Sequence, residues 1–160
     1  MEMDFNKLWA NFLDTLQNHY MDFNGRVGRP QFWYYILVVV GVSIVASVVG
    51  SVTTRLISSL VSLALFLPNL GMTIRRFHDV GKPTSWVLIL MIPLVAVIVL
   101  SILTVFSLLL GPLFLIFAGL TTIASLLALA ATVVIIYFCA QPGVAGPNEF
   151  GPAPPEFAPN

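Results

Sequence analysis

The chain has 160 residues, of which 58% are hydrophobic and 9% are charged, and its seven basic and seven acidic side chains leave no formal net charge. Globular domains average about 25% charged residues, so this composition excludes an ordinary soluble domain and predicts an all-α integral membrane protein. The length suffices for one compact bundle and leaves almost nothing for a separate soluble domain.

Residues 1–22 form the first predicted element. Aromatic and leucine side chains recur there at helical spacing, among them Phe5, Trp9, Phe12 and Leu16, with polar side chains elsewhere on the wheel. This pattern predicts an amphipathic helix, and because the segment is too polar to span, we expect it to lie in the membrane interface. A docking helix for a partner, or for the bundle's own cytoplasmic face, is the alternative.

Residues 23–140 are predicted to form four membrane spans. Charge-free windows bounded by Arg29, Arg55 and Arg75 give spans of about 31–53 and 56–76. The second window contains Pro68 and is expected to be kinked near its end or to borrow a turn beyond Arg75.

The remaining two spans come from one long apolar run. Positions 83 to 148 contain no Asp, Glu, Lys or Arg. The apolar part of this run would be about 80 Å long as a single helix, whereas the hydrocarbon core of a bilayer is about 30 Å thick. It must therefore fold back, and Gly111-Pro112 is the natural corner, giving spans of about 86–110 and 113–140.

Charge placement predicts the orientation. With the N-terminus in the cytoplasm, every basic residue except Arg55 falls on the cytoplasmic side, where basic residues are enriched. All Trp and Tyr residues fall at the same interface, which these side chains prefer. We therefore expect a four-span helical bundle with both termini cytoplasmic and a Pro-rich cytoplasmic tail at 141–160.

Three polar segments interrupt the apolar chain: Phe23–Arg29, Arg75–Lys82 and Gly146–Gly151. An aromatic-x-Gly-Arg stretch, an Arg-Arg-aromatic-His-Asp-x-Gly-Lys stretch and a closing Gly-Pro-Asn-x-aromatic-Gly-Pro, in this order, resemble Domain of Unknown Function 805. The resemblance implies a multi-pass bacterial inner-membrane protein without an assigned activity. The chain departs from that family where Gly28 and Gln31 stand in place of its usual Ser and Glu.

The middle segment allows two interpretations. Asp79 lies three and four residues after Arg76 and Arg75, so it can pair with either on one helical turn. One interpretation is structural, namely cytoplasmic anchoring with a helix C-cap at Gly81. The other is an anion site in which the two arginines bind a phosphate-bearing headgroup or substrate while Asp79 orients one of them.

An even number of spans places all three polar segments on one membrane face, so we expect them to form a single cluster. This cluster is the candidate anion or headgroup site, and its members are Arg26, Arg29, Arg75, Arg76, His78, Asp79 and Asn148.

No catalytic residue, metal site or cofactor is predicted. His78 and Asp79 lack further ligands, and the spans carry no ionisable residue of the kind that a proton-coupled pump needs.

The favoured function is therefore non-enzymatic: an inner-membrane protein that binds anionic lipid or a protein partner through its cytoplasmic polar cluster. A small transporter or channel component is the first alternative, and an enzyme acting on a lipid headgroup is the second. Small residues at four-residue spacing, such as Ala124 and Ala128, fit intramolecular packing or a homo-oligomer. The expected partners are membrane lipids, a second copy or another membrane protein, and no nucleic acid.

Overall fold

A computed structural model describes residues 5–155, and most of this stretch is helical, without a β-strand. The helices are α1 (Phe5–Asn18), α2 (Arg29–Val52), α3 (Arg55–Asp79), α4 (Thr84–Phe106) and α5 (Pro112–Ala140), with a 3-10 turn at Ser107–Leu109. Residues 1–4 of the predicted N-terminal helix and residues 156–160 of the predicted tail lie outside the described stretch.

Four of the helices are long and apolar enough to cross a membrane: α2, α3, α4 together with its 3-10 turn, and α5, with 24, 25, 26 and 29 residues. These lengths correspond to about 36 to 44 Å of helix, more than the roughly 30 Å of a hydrocarbon core. The prediction of an all-α protein with four apolar spans is confirmed, whereas their arrangement as one bundle stays a prediction.

The chain divides into two compact units, and the second contains Pro83–Ala140. Its helices α4 and α5 form an antiparallel hairpin. The hydroxyl oxygens of Thr104 and Thr121 lie 3.0 Å apart, and the ring of Trp86 packs edge-on against Phe138 near the other end of the helices. The chain turns at Gly111, whose φ of 57° favours glycine, and α5 begins at Pro112, so the predicted corner is confirmed.

The first unit joins the residues up to Lys82 with those from Gln141 onward. Helices α2 and α3 approach closely near their connection, where a Cβ added at Gly50 would lie 3.2 Å from the Ser58 hydroxyl. Near the other end of this helical pair, the buried Tyr35 hydroxyl donates to Asn69 Oδ1 at 2.8 Å. Gly50 thus serves packing within the unit.

Helix α1 packs on the start of α2 through both polar and aromatic contacts. The amide of Asn11 donates to the Gln31 carbonyl at 3.1 Å, and the amide of Gln31 donates back to Asn11 Oδ1 at 3.2 Å. The rings of Phe12 and Tyr35 lie 5.9 Å apart. These contacts fix α1 against the helical pair.

Helix α3 continues through Pro68 and ends at Asp79, one turn beyond Arg75. Because proline has no N–H, the carbonyl of Ala64, four residues earlier, loses its helical donor. The hydroxyl of Tyr20 takes that role and donates to the Ala64 carbonyl at 2.7 Å. The segment after α1 is thereby fastened to α3 at the point where the helical hydrogen bonding is interrupted.

Tyr20→Phe should lower the free energy of unfolding by about 1 to 2 kcal/mol, because it leaves the Ala64 carbonyl without a donor. Reversible unfolding in mixed micelles measures the change. Tyr137→Phe on the exposed face of α5 removes the same hydroxyl elsewhere and is the matched control. Equal stability of the two variants would show that the Tyr20 bond contributes nothing.

Candidate functional site

The three polar segments meet in the first unit. The Arg26 side chain donates to the Gly146 carbonyl and the Asn148 side chain donates to the His78 carbonyl, and main-chain hydrogen bonds add to these contacts. The Val27 N–H donates to the Arg75 carbonyl at 3.1 Å, and the Val144 N–H donates to the Asp79 carbonyl at 2.8 Å. The segment after α5 therefore lies beside the end of α3 and the loop before α2. The predicted contact among the three segments is confirmed.

Arg26 sits at the centre of this contact with its guanidinium enclosed by oxygen atoms. Its Nε and Nη2 lie 3.1 and 2.9 Å from Asp79 Oδ1. Nη2 also donates to the Val144 carbonyl at 2.6 Å, and Nη1 donates to the carbonyls of Gly146 and Gly151 at 2.7 and 3.4 Å. These contacts engage all five guanidinium N–H groups, and only 1% of the side chain is exposed.

Arg76 binds the same carboxylate from the other side. Its Nη1 donates to Asp79 Oδ2 and its Nη2 donates to the Gln141 carbonyl, while the Val27 carbonyl lies 3.4 Å from Nη1. The side chain of Arg76 is fully buried and that of Asp79 is 4% exposed. We call these three residues, Arg26, Arg76 and Asp79, the arginine cluster. It holds two positive charges and one negative charge, and main-chain carbonyls accept further N–H groups of both arginines.

Gly143 makes room for the carboxylate. A Cβ at this position would lie 2.8 Å from Asp79 Cγ and 2.9 Å from Oδ1, too close for any side chain. Gly143 is not recognisable from the sequence as part of this site, because a Gln-Pro-Gly after a span indicates only a turn. No sequence signal marks the distant carboxylate that this glycine faces.

His78 and Asn148 hold the last segment against α3. The His78 ring stacks on Phe150 with centroids 4.0 Å apart and planes 2° apart, and its Nδ1 lies 3.1 Å from the Gly25 carbonyl. Asn148 donates to the His78 carbonyl at 2.9 Å and accepts from the Phe150 N–H at 2.9 Å. Both side chains thus have structural contacts beside the arginine cluster.

Two predicted site residues are not part of the arginine cluster. The Arg75 side chain is buried near Asp22, with Nη1 at 3.9 Å from a carboxylate oxygen and Nη2 at 3.2 Å from Met72 Sδ. Its Nε has no hydrogen-bond acceptor in the described part of the chain. Arg29, the first residue of α2, is exposed.

The loop between α1 and α2 has its own ionic network. Burial raises the pKa of Asp22, but hydrogen bonds with the Asn24 N–H and the His19 ring, together with the charge of Arg75, hold its pKa below the ordinary value. A lowered carboxyl pKa stabilises the fold while the group is ionised. This contribution is present above the unfolded-state pKa and is lost as the pH falls through the folded-state value.

Comparisons with known proteins place these segments in a family. A family model described as "Protein of unknown function (DUF805)" matches residues 20–152, a range that contains all three polar segments. The chain belongs to this family. The resemblance seen in the sequence motifs is confirmed.

Two relatives from Escherichia coli (strain K12) indicate the location of the protein. The inner membrane protein YhaI is 34% identical over 94 residues, which are 57% of this chain and 79% of YhaI. The inner membrane protein YhaH is 23% identical over 150 residues, which are 89% of this chain and 94% of YhaH. No solved structure matches the chain. Together with the four apolar helices, the relatives assign this DUF805 chain to the inner membrane as a multi-pass protein.

The motifs that mark this DUF805 chain are the segments that build the arginine cluster. In the part of the chain that the structure describes, no group of three His, Cys, Asp or Glu side chains is arranged to hold a metal ion. The geometry supports a structural role for Arg26, Arg76, Asp79 and Asn148. Their predicted role as anion ligands is not tested by these contacts and stays a prediction.

Arg26→Gln and Asp79→Asn should each destabilise the protein by roughly 3 to 5 kcal/mol, since Arg26→Gln removes one of the two guanidinium partners of the buried Asp79 and Asp79→Asn leaves two buried guanidinium groups without a carboxylate. Because the two side chains bond each other, the double variant should lose less than the sum, by about 1 kcal/mol or more. Unfolding free energies of the four proteins measure this coupling. Arg29→Gln combined with Asp79→Asn is the control and should be additive, because Arg29 is exposed and makes no bond to Asp79. Additivity in both pairs would contradict the ionic connection.

Proposed function

We propose that this DUF805 chain is a non-enzymatic inner-membrane protein that binds anionic phospholipid headgroups at a basic rim beside the arginine cluster. The basic rim consists of Arg29, where α2 begins, and Lys82, three residues after α3 ends. The observation that carries the proposal is the exposure of Arg29 beside a site whose other arginines are buried.

The arginine cluster supports this assignment because the N–H groups of Arg26 already have hydrogen-bond acceptors. An incoming phosphate could bind Arg26 only by displacing Asp79 or a main-chain carbonyl, because every guanidinium N–H is already engaged. Displacing a buried ionic partner costs more than a surface phosphate contact returns. Arg29 needs no such exchange, and a basic residue near an anionic leaflet contributes about 1 kcal/mol. The cluster then keeps the basic rim rigid at the membrane surface.

We also propose that α1 lies in contact with lipid. Its polar Asn11 and Thr15 are buried against the protein, whereas its apolar Phe5 and Trp9 are 73% and 42% exposed. A helix that turns its polar side chains toward the protein and its aromatic side chains away from it is more stable when its exposed face contacts lipid than when it contacts water. This supports contact between the outer face of α1 and lipid, whereas its location in the membrane interface stays a prediction. We propose cytoplasmic termini on the separate ground that every basic residue except Arg55 then falls on the cytoplasmic side. Binding of a second copy or of another membrane protein stays a prediction.

The proposed orientation can be tested by cysteine labelling in a Cys139→Ser background. Membrane-impermeant thiol reagents added to intact spheroplasts should label cysteines at positions 55 and 110 but not at positions 24 and 145, all four of which are exposed. Permeabilised cells are the control, because all four positions should then react. Labelling of position 145 from outside would contradict cytoplasmic termini.

The headgroup proposal can be tested with two matched arginines. Native mass spectrometry of protein from equimolar phosphatidylglycerol and phosphatidylethanolamine should show an excess of bound phosphatidylglycerol. Arg29→Gln should reduce this excess about fivefold, since one surface charge contributes about 1 kcal/mol. Arg55→Gln removes another exposed arginine, at the other end of the α2–α3 pair, and should leave the excess unchanged. An equal reduction in both variants, or none in either, would contradict a headgroup site at the rim.

A further inference from the structure

An apolar groove of about 670 Å³ runs along α2 in the first unit. Small-molecule sites in proteins have volumes of about 300 to 1,000 Å³, so the groove is large enough for a ligand. Its lining is almost entirely apolar and includes Phe5 and Trp9 from α1, Leu37, Gly41 and Val49 from α2, and Val61 from α3.

The groove lies at the depth of the hydrocarbon. From Leu37 to Val49 it follows α2 for about 18 Å, at 1.5 Å per residue. This stretch is inside the apolar span Arg29–Val52, with about two turns of helix before it and about one turn after it. One leaflet contributes about half of a 30 Å core, or about 15 Å, so the groove is as long as one leaflet is thick.

Fixed walls keep the groove open. The reciprocal hydrogen bonds between Asn11 and Gln31 and the contact of Phe12 with Tyr35 hold α1 beside α2, and Leu8 is buried between the groove and the protein. A Cβ added at Gly41 would meet no atom within 4 Å, so the missing side chain leaves free space. The groove is therefore present without rearrangement of the helices.

We propose that this groove binds one acyl chain of a membrane phospholipid. Its occupant must be apolar, because the lining offers almost no polar partner, and a dry apolar cavity does not retain water. It must be elongated and about one leaflet long, and it must be present at the depth of the spans. A phospholipid acyl chain meets all three conditions. The proposal goes beyond the headgroup site, because an acyl chain carries no charge and its binding does not require the basic rim.

The test uses Trp9 as a reporter in a Trp33→Phe, Trp86→Phe background, so that its emission alone is observed. The protein is placed in detergent micelles and titrated with zwitterionic phosphatidylcholine carrying a spin label at mid-chain. Quenching of Trp9 should saturate at about one lipid per protein. The same lipid labelled on its headgroup should quench less.

Filling the groove should remove this binding. Gly41→Leu places a side chain in the free space and should weaken the apparent affinity about tenfold. Leucine also favours helix over glycine, so α2 should remain folded, which circular dichroism checks. Gly119→Leu on α5 is the matched control, because a Cβ there also meets no atom within 4 Å, and quenching should not change. Val45→Phe enlarges another side chain of the lining and serves as a second filling variant.

Three results would overturn the proposal. Equal quenching in the Gly41→Leu and Gly119→Leu variants would indicate only the general lipid shell. Quenching that never saturates would indicate the same. Weak quenching by the mid-chain label in every variant would indicate that protein, such as a second copy, covers the groove. The lipid in this test has no net charge, so such a failure would leave the headgroup proposal at Arg29 standing.

Discussion

The carboxylate of Asp79, shared by the guanidinium groups of Arg26 and Arg76, is the interaction on which the first unit depends. It connects the loop before α2, the last turn of α3 and, through main-chain carbonyls such as that of Gln141, the chain after α5. Buried ionic groups are costly unless every partner is present. The main-chain carbonyls around the two guanidinium groups meet this condition, so the three segments must fold together or leave a charge unpaired.

This requirement distinguishes the charged side chains that stabilise the fold from those that can bind a ligand. The charges that the sequence concentrates in short motifs are largely buried and bonded, whereas the outer surface of the helices is apolar, with Leu109 at the turn 95% exposed. Ligands can therefore reach the protein in two ways, through the few basic side chains that remain at the surface and through apolar grooves at the depth of the spans. The headgroup and acyl-chain proposals follow these two routes, and each has a different set of residues.

The sequence contains enough information for the spans and for the meeting of the three segments, but not for the pairing within the site. Charge-free windows and Gly111-Pro112 predict the helices because bilayer thickness limits their length. Helical spacing allows Asp79 to pair with Arg75 or Arg76, and only packing against Val27 and Gln141 selects Arg76. Likewise, Pro68 predicts a free carbonyl in α3, but the donor, Tyr20, lies 44 residues before Ala64 and depends on the position of α1.

Because Asp79 pairs with Arg76 and not with Arg75, the two sides of the C-terminal end of α3 are held by different numbers of hydrogen bonds. Arg76 faces the arginine cluster with its hydrogen bonds satisfied, whereas Arg75, about 100° further around the helix, faces the loop after α1 and lies 3.9 Å from Asp22. The Nε of Arg75 lacks an acceptor among the described residues, so this side is held less firmly. Local opening begins where few buried bonds must break. The loop after α1 should therefore separate from α3 before the segment after α5 does, and amide exchange at Asn24 should be faster than at Val144, whose N–H is bonded to the Asp79 carbonyl.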